Sequence, residues 1–203
     1  MKKILTTLAF AAITLCAAAQ VKAPTEWGVR AGLNLMTYSG FENSSDTKYP
    51  LSPGFYAGVF AEWPQIYQDF GLRAEVNFAT QGCKSQAKDM DFIFIMRSYN
   101  ILVPVMAQYA FLDGKLKVMA GPQVGLCLGG KNIAKSGGDS DTDKWDKNTP
   151  NTFDFSLVFG ADYMITAQLG VELRYDLGLT NTFADTSVIY ANRGLQIGAL
   201  YKF

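Results

Sequence analysis

Apolar residues recur at every second position along eight separate stretches of this chain, with glycine, polar groups or ions between them. In the first stretch Trp27, Val29, Ala31, Leu33 and Leu35 share one face, while Gly28, Arg30, Gly32 and Asn34 share the other. The same pattern returns over 55–63, 70–78, 99–111, 116–126, 153–163, 169–178 and 195–203. A period of two is the signature of β-strands whose two faces meet different surroundings. Each stretch has roughly the length a tilted strand needs to cross a bilayer. An even set of such strands can close on itself, and in lipid it must, because an open edge would leave backbone N–H and C=O groups without partners. The pattern therefore predicts an all-β chain, an eight-stranded antiparallel up-and-down transmembrane β-barrel. Pro104 and Pro122 each remove one ladder donor, and a nearby bulge is the expected remedy.

A soluble barrel that holds a ligand would show the same period with the faces exchanged. The polar rows argue against it. They are rich in glycine, which suits a narrow interior and gives no advantage on a water-facing exterior. They also mix Arg30, Arg73, Arg174 and Lys117 with Glu62, Glu75, Asp162, Glu172 and Asp176. Such charges can pair inside a filled lumen, as an interior salt-bridge layer. The alternative is a selectivity ring around a narrow channel for small solutes. Eight strands leave an interior just wide enough for side chains, which favours the filled lumen. The aromatic residues fall at two heights. Trp27, Trp63, Phe70, Tyr109, Phe111, Tyr163, Tyr201 and Phe203 mark one end, and Phe55, Phe78, Tyr99, Phe153 and Phe155 the other. Two such girdles match the two interfaces of a bilayer.

Long connections (38–52, 82–97, 129–152, 180–193) alternate with short ones (64–69, 112–115, 165–168), and the short ones lie on the same side as both termini. Barrels of the outer membrane keep short turns on the periplasmic side and long loops outside, so periplasmic termini are expected. The third long connection, with Ser136-Gly137-Gly138-Asp139, reads as a mobile, solvated loop. In the second, Asp91-Phe92-Ile93-Phe94-Ile95-Met96 is apolar on both faces. It reads as a hairpin extended beyond the membrane, or as an exposed strand edge that captures an extracellular or envelope protein.

The chain has 203 residues, and its start is not fold material. Lys2 and Lys3, the apolar run Ile4 to Leu15 and the small residues Ala17-Ala18-Ala19 form a secretory signal peptide, expected to be removed as residues 1–19. Residues 20–203 are then the barrel. Cys16 follows Leu15, where lipoprotein processing would want a small residue, so it is expected to leave with the leader. Losing Lys2 and Lys3 leaves slightly more acids than bases, with no basic excess for nucleic acid. The sequence holds no histidine, which removes the usual general base of a hydrolase and argues against an enzyme.

Asp139-Ser140-Asp141-Thr142-Asp143 opens like a calcium loop. Lys144, however, stands at the glycine position and Pro150 at the closing glutamate, so no metal or cofactor is expected. Cys83 and Cys127 share lumen parity in an oxidising compartment, yet with a strand between them they stand about 10 Å apart, beyond bridging distance. Both the bridged and the free state stay open.

Trp27-Gly28-Val29-Arg30-Ala31-Gly32-Leu33-Asn34, Tyr99-Asn100-Ile101-Leu102-Val103-Pro104, Ala120-Gly121-Pro122 and the ending Tyr201-Lys202-Phe203 resemble the small "porin family" or PorT-like outer-membrane barrels of Bacteroidetes. The resemblance covers essentially the whole mature chain and implies an outer-membrane barrel of the OmpX/OmpA kind. The last strand, ending on Phe203, looks like the signal read by the barrel-assembly machinery. Expected partners are thus outer-membrane lipid, that machinery, and an extracellular or envelope protein. The expected role is structural, adhesive or in assembly.

Overall fold

The computed structural model describes residues 24–39, 47–48, 50–87, 92–136, 139–145, 153–180 and 191–203. The expected leader, Asp91, the 137–138 tip and Pro150 lie outside them. The described elements are strands β1 (Glu26–Tyr38), β2 (Thr47–Lys48), β3 (Ser52–Tyr67), β4 (Phe70–Ala87), β5 (Phe92–Phe111), β6 (Leu116–Ser136), β7 (Asp139–Lys144), β8 (Phe153–Met164), β9 (Leu169–Gly178) and β10 (Asn192–Lys202). All pairings are antiparallel. The order β4-β3-β1-β10-β9-β8-β6-β5, with β5 pairing back to β4, closes a ring of the eight long strands. β2 pairs with β4 and β7 with β6 outside that ring.

The ring is inverted relative to a soluble protein. Leu33 and Ile197 are 61% and 58% exposed, whereas Arg73 is 0% and Arg174 2% exposed. Apolar rows point out on every ring strand and polar rows point in, as the period of two requires. Tyr56, Phe60, Met106, Met119, Val158 and Leu200 fill lumen space between the polar groups. The glycine rows make room for the larger of these. A Cβ on Gly28 would lie 2.3 Å from the Phe60 ring, and one on Gly198 2.2 Å from the Tyr56 hydroxyl. In the tight turn after β5, Gly114 has φ +83°, a conformation glycine adopts without steric cost.

Several connections are shorter than the sequence suggests. β4 and β5 continue through 82–87 and 92–97 as the extended hairpin expected from the apolar run 91–96, so those residues are strand rather than loop. Residues 129–136 and 139–144 are not mobile loop, because β6 runs to Ser136 and β7 (Asp139–Lys144) pairs back against it. Hydrogen-bonded pairing supplies the order that their polar composition hid. Phe92–Met96 is not an open edge either, since β4 pairs with Ile93–Met96 on one side and β6 with Phe92–Met96 on the other. β3 runs on to Tyr67 through an irregularity between Trp63 and Tyr67, leaving Gln68–Asp69 as the turn. Pro104 and Pro122 cause no bulge. The ladders lose rungs beside them but keep register on both sides.

Residues 139–144 form extended strand, not the curved loop a calcium site needs. Cys83 and Cys127 are both free. Their partners on β5 are Met96 and Asn100, so they differ in height as well as strand.

Gly198→Val tests the lumen packing. Its Cβ would meet the Tyr56 hydroxyl and the Ala31 carbonyl oxygen, the latter at 2.3 Å. Urea titration in detergent micelles is expected to show a loss of about 1–3 kcal/mol; an unchanged midpoint would contradict this packing.

Candidate functional site

The inward rows of β1, β3, β4, β6, β8, β9 and β10 bring their ions to one level of the lumen. Burying an isolated charge is prohibitive, so each must find a counter-charge across the ring. Glu75 on β4 is the centre. Arg174 on β9 donates to both its oxygens, at 2.8 and 2.9 Å, in the bidentate geometry that suits a guanidinium. Arg30 on β1 donates to it at 3.0 Å, and Asn77 at 2.9 Å. The Arg73 Nε lies 2.6 Å from Oε1 of the same carboxylate.

The layer extends from there. Arg30 also donates to Glu172 Oε1 at 2.8 Å and to Gln196 at 3.2 Å. The Tyr56 hydroxyl donates to Glu172 at 2.5 Å. Arg73 donates to Asp162 at 2.5 Å, with Glu62 3.8 Å away. Lys117 donates to Glu62 at 2.7 Å, and Lys202 pairs with both Glu62 and Glu26. The guanidinium carbons of Arg30 and Arg73 stand 4.3 and 3.7 Å from the ring centres of Tyr56 and Phe60, a favourable cation–π arrangement. The contacts of Arg30 and Lys202 tie β1 and β10, the first and last ring strands, to strands on either side of their seam, and Glu26 pairs with Lys202 across it.

Of the ions singled out from the sequence, Arg30, Glu62, Arg73, Glu75, Lys117, Asp162, Glu172 and Arg174 meet in this layer. Asp176 does not. It sits nearer the opposite end and accepts from Gln123 at 2.9 Å, the same amide that reaches the Ser156 hydroxyl. No cation lies within ion-pair distance of it among the described residues, because the arginines are consumed one level below. Lys202, Tyr56 and Phe60 were missed. All three have lumen parity, which was the available signal.

A vestibule of about 1040 Å³ opens at the end bearing the termini, lined in part by Glu26, Asp69, Asp113, Lys117 and Lys202. It leads to the ionic layer, where Glu62 and Arg73 are wholly buried. Around this end, on the outer face, stand Trp27, Trp63, Phe70, Tyr109, Phe111, Tyr163 and Tyr201. Phe70 packs edge-on against Tyr109, and Tyr109 against Phe111, both at 4.7 Å. Phe203 is 77% exposed and its N–H donates to the Trp27 carbonyl at 3.0 Å. Among the described residues no group of side chains is arranged to hold a metal ion.

The sequence matches the family described as "Outer membrane protein beta-barrel domain" over residues 18–184. No curated protein matches it significantly. Solved structures of similar form include Neisserial surface protein A, at 16% identity over 88% of this chain and 96% of that one, with a TM-score of 0.45. They also include Ail of Yersinia pestis (14%, 88% and 97%, 0.43) and OprG of Pseudomonas aeruginosa (12%, 89% and 97%, 0.39).

Two substitutions separate the layer from its surroundings. Glu75→Gln leaves three guanidiniums short of a counter-charge and is expected to cost about 3–5 kcal/mol of unfolding free energy. Asp176→Asn keeps its amide partner and should change stability by about 1 kcal/mol or less. Urea titration of both in detergent checks the contrast; equal effects would contradict it.

Proposed function

We propose a role that proceeds from one premise: the chain belongs to the outer-membrane protein β-barrel domain family and is an integral protein of the outer membrane. Its lumen is filled rather than conducting, and its contribution is structural, adhesive or in assembly, made from the end that projects beyond the membrane. The observation that carries this reading is the buried ionic layer. Arg73, Glu75, Arg174 and Glu172 span the interior with side chains almost wholly removed from solvent. An ion crossing the barrel would have to break several charge-assisted contacts in a low-dielectric space. The missing histidine supports a non-catalytic role.

The short turns 68–69, 112–115 and 165–168 share the end that carries Glu26 and Lys202, and we place that end in the periplasm. Arrival there requires the expected signal peptide. The barrel-assembly machinery would then read the last strand, whose outward row ends on Tyr201 and Phe203. The motifs in β1 and β5 support a likeness to the PorT-like barrels of Bacteroidetes.

Two measurements test the proposal. Purified protein in planar bilayers is expected to give no steady conductance. A stable current that Arg73→Ala alters would instead establish the alternative, a narrow channel for small solutes. Deleting Phe203 is expected to lower the amount of folded barrel recovered from outer membranes several-fold, and normal levels would count against the assembly signal.

A further inference from the structure

β1, β8, β9 and β10 are 10–13 residues long, enough for a tilted crossing, whereas β4, β5 and β6 have 18, 20 and 21. The surplus of roughly six to ten residues per strand carries a sheet, extended by β7, about 20–30 Å further along the strand direction. Phe78 and Tyr99 stack with ring centres 6.4 Å apart at the height where this projection begins.

Strand register decides what the outer face of the projection presents. Tyr99 pairs with Gly129 but Asn100 with Cys127, so Leu128 is an extra residue in β6. That bulge reverses the parity of everything after it. Lys131, Ile133 and Lys135, which simple alternation from Lys117 would send inward, join the outward row instead. Arg97 lies opposite Lys131, and Lys131 opposite Lys144. Three cations thus stand side by side on β5, β6 and β7, one step of two residues beyond Tyr99, or about 7 Å along the strand. Lys84 lies one row higher beside Ile95 and Ile133, and Lys135 a further row up beside Ile93.

Among the described residues, no Asp or Glu occupies the outward positions of these rows. Asp141 and Asp143 pair with Ala134 and Asn132 and so belong to the opposite face. None of the five cations forms an ion pair with a described residue. Arg97 is steadied by one neutral contact, to the Pro53 carbonyl at 3.2 Å.

Like charges directly opposite each other on neighbouring strands destabilise a sheet. A row of three with no described acid beside it is the arrangement expected where an anion completes the site. On the premise that the barrel sits in the outer membrane, we propose that this face binds the phosphate groups of an anionic glycolipid in the outer leaflet. Arg97, Lys131 and Lys144 form its first row, and Lys84 and Lys135 flank the sugar region above. The height selects a lipid over a soluble polyanion, because the row lies immediately above the aromatic girdle, where headgroups reside. The isoleucines between the cations suit an amphiphile.

The test uses full-length barrel in nanodiscs of neutral phosphatidylcholine, with bound glycolipid counted by native mass spectrometry. The probes are lipid A bearing two phosphates and the same lipid dephosphorylated. Wild type is expected to retain the phosphorylated form selectively and to release it as salt rises. The triple variant R97Q/K131Q/K144Q is expected to bind it on the order of a hundredfold more weakly. K131R/K144R, which keeps the charges, should bind like wild type. Unchanged binding by the triple variant, or equal binding of the dephosphorylated lipid, would overturn the proposal while leaving the membrane reading intact. Displacement of lipid A by a soluble heparin fragment of equal charge would reassign the face to a soluble polyanion and overturn it too. Failure of wild-type protein to enter the nanodisc would overturn the membrane reading and the proposal together.

Discussion

A barrel with hydrocarbon-facing outer rows has nowhere to put its ions but inside, and inside they must neutralise one another. The contacts converging on Glu75 meet that demand. One carboxylate on β4 holds guanidiniums from β1, β4 and β9, and each of those reaches a further acid. The layer therefore joins strands far apart in sequence and fixes their relative height. Glycine on the inward rows and the aromatic rings of Tyr56 and Phe60 complete the filling, so shape and charge are satisfied by the same residues. A single level of mutually dependent ions gives specificity to a sheet whose outer surface, greasy and nearly uniform, supplies little.

On the proposed reading, the filled interior moves the role of the molecule to its ends. At the end with the termini the vestibule stops at Lys117 and Lys202. At the other, the unequal strand lengths raise one side of the barrel into a sheet that outruns the membrane. Its lower rows, on one face, carry cations that have no ion-pair partner among the described residues. The filled lumen and the asymmetric projection are the two features from which the proposed surface role is drawn.

Much of this was legible in the sequence because the period of two is a direct consequence of strand geometry. The inward placing of Arg30, Arg73 and Arg174 and the outward placing of Trp27 or Leu173 needed no tertiary information. What escaped had local causes. The extension of β4 and β5 was legible in the apolar run 92–96, whereas that of β6 was not, because backbone pairing rather than hydropathy continues it and only Ile133 and Ala134 are apolar within 129–136. The extra residue at Leu128 reversed the parity of Lys131 and Lys135, and a bulge leaves no compositional trace beyond the neighbouring glycines. Asp176 has the right parity but the wrong level, since height depends on strand stagger that parity does not encode. Pro104 and Pro122, expected to force bulges, merely open the ladder where neighbouring rungs hold the register.

The central claim is that the exposed apolar rows touch acyl chains while the charged rows are enclosed. Nitroxide labels at Val59, Val103 and Leu173, read by electron paramagnetic resonance with oxygen and a water-soluble nickel chelate as relaxing agents, test it most directly. The account predicts strong relaxation by oxygen and little by nickel at all three sites in reconstituted bilayers. Relaxation dominated by the nickel chelate would place those rows in water and contradict it.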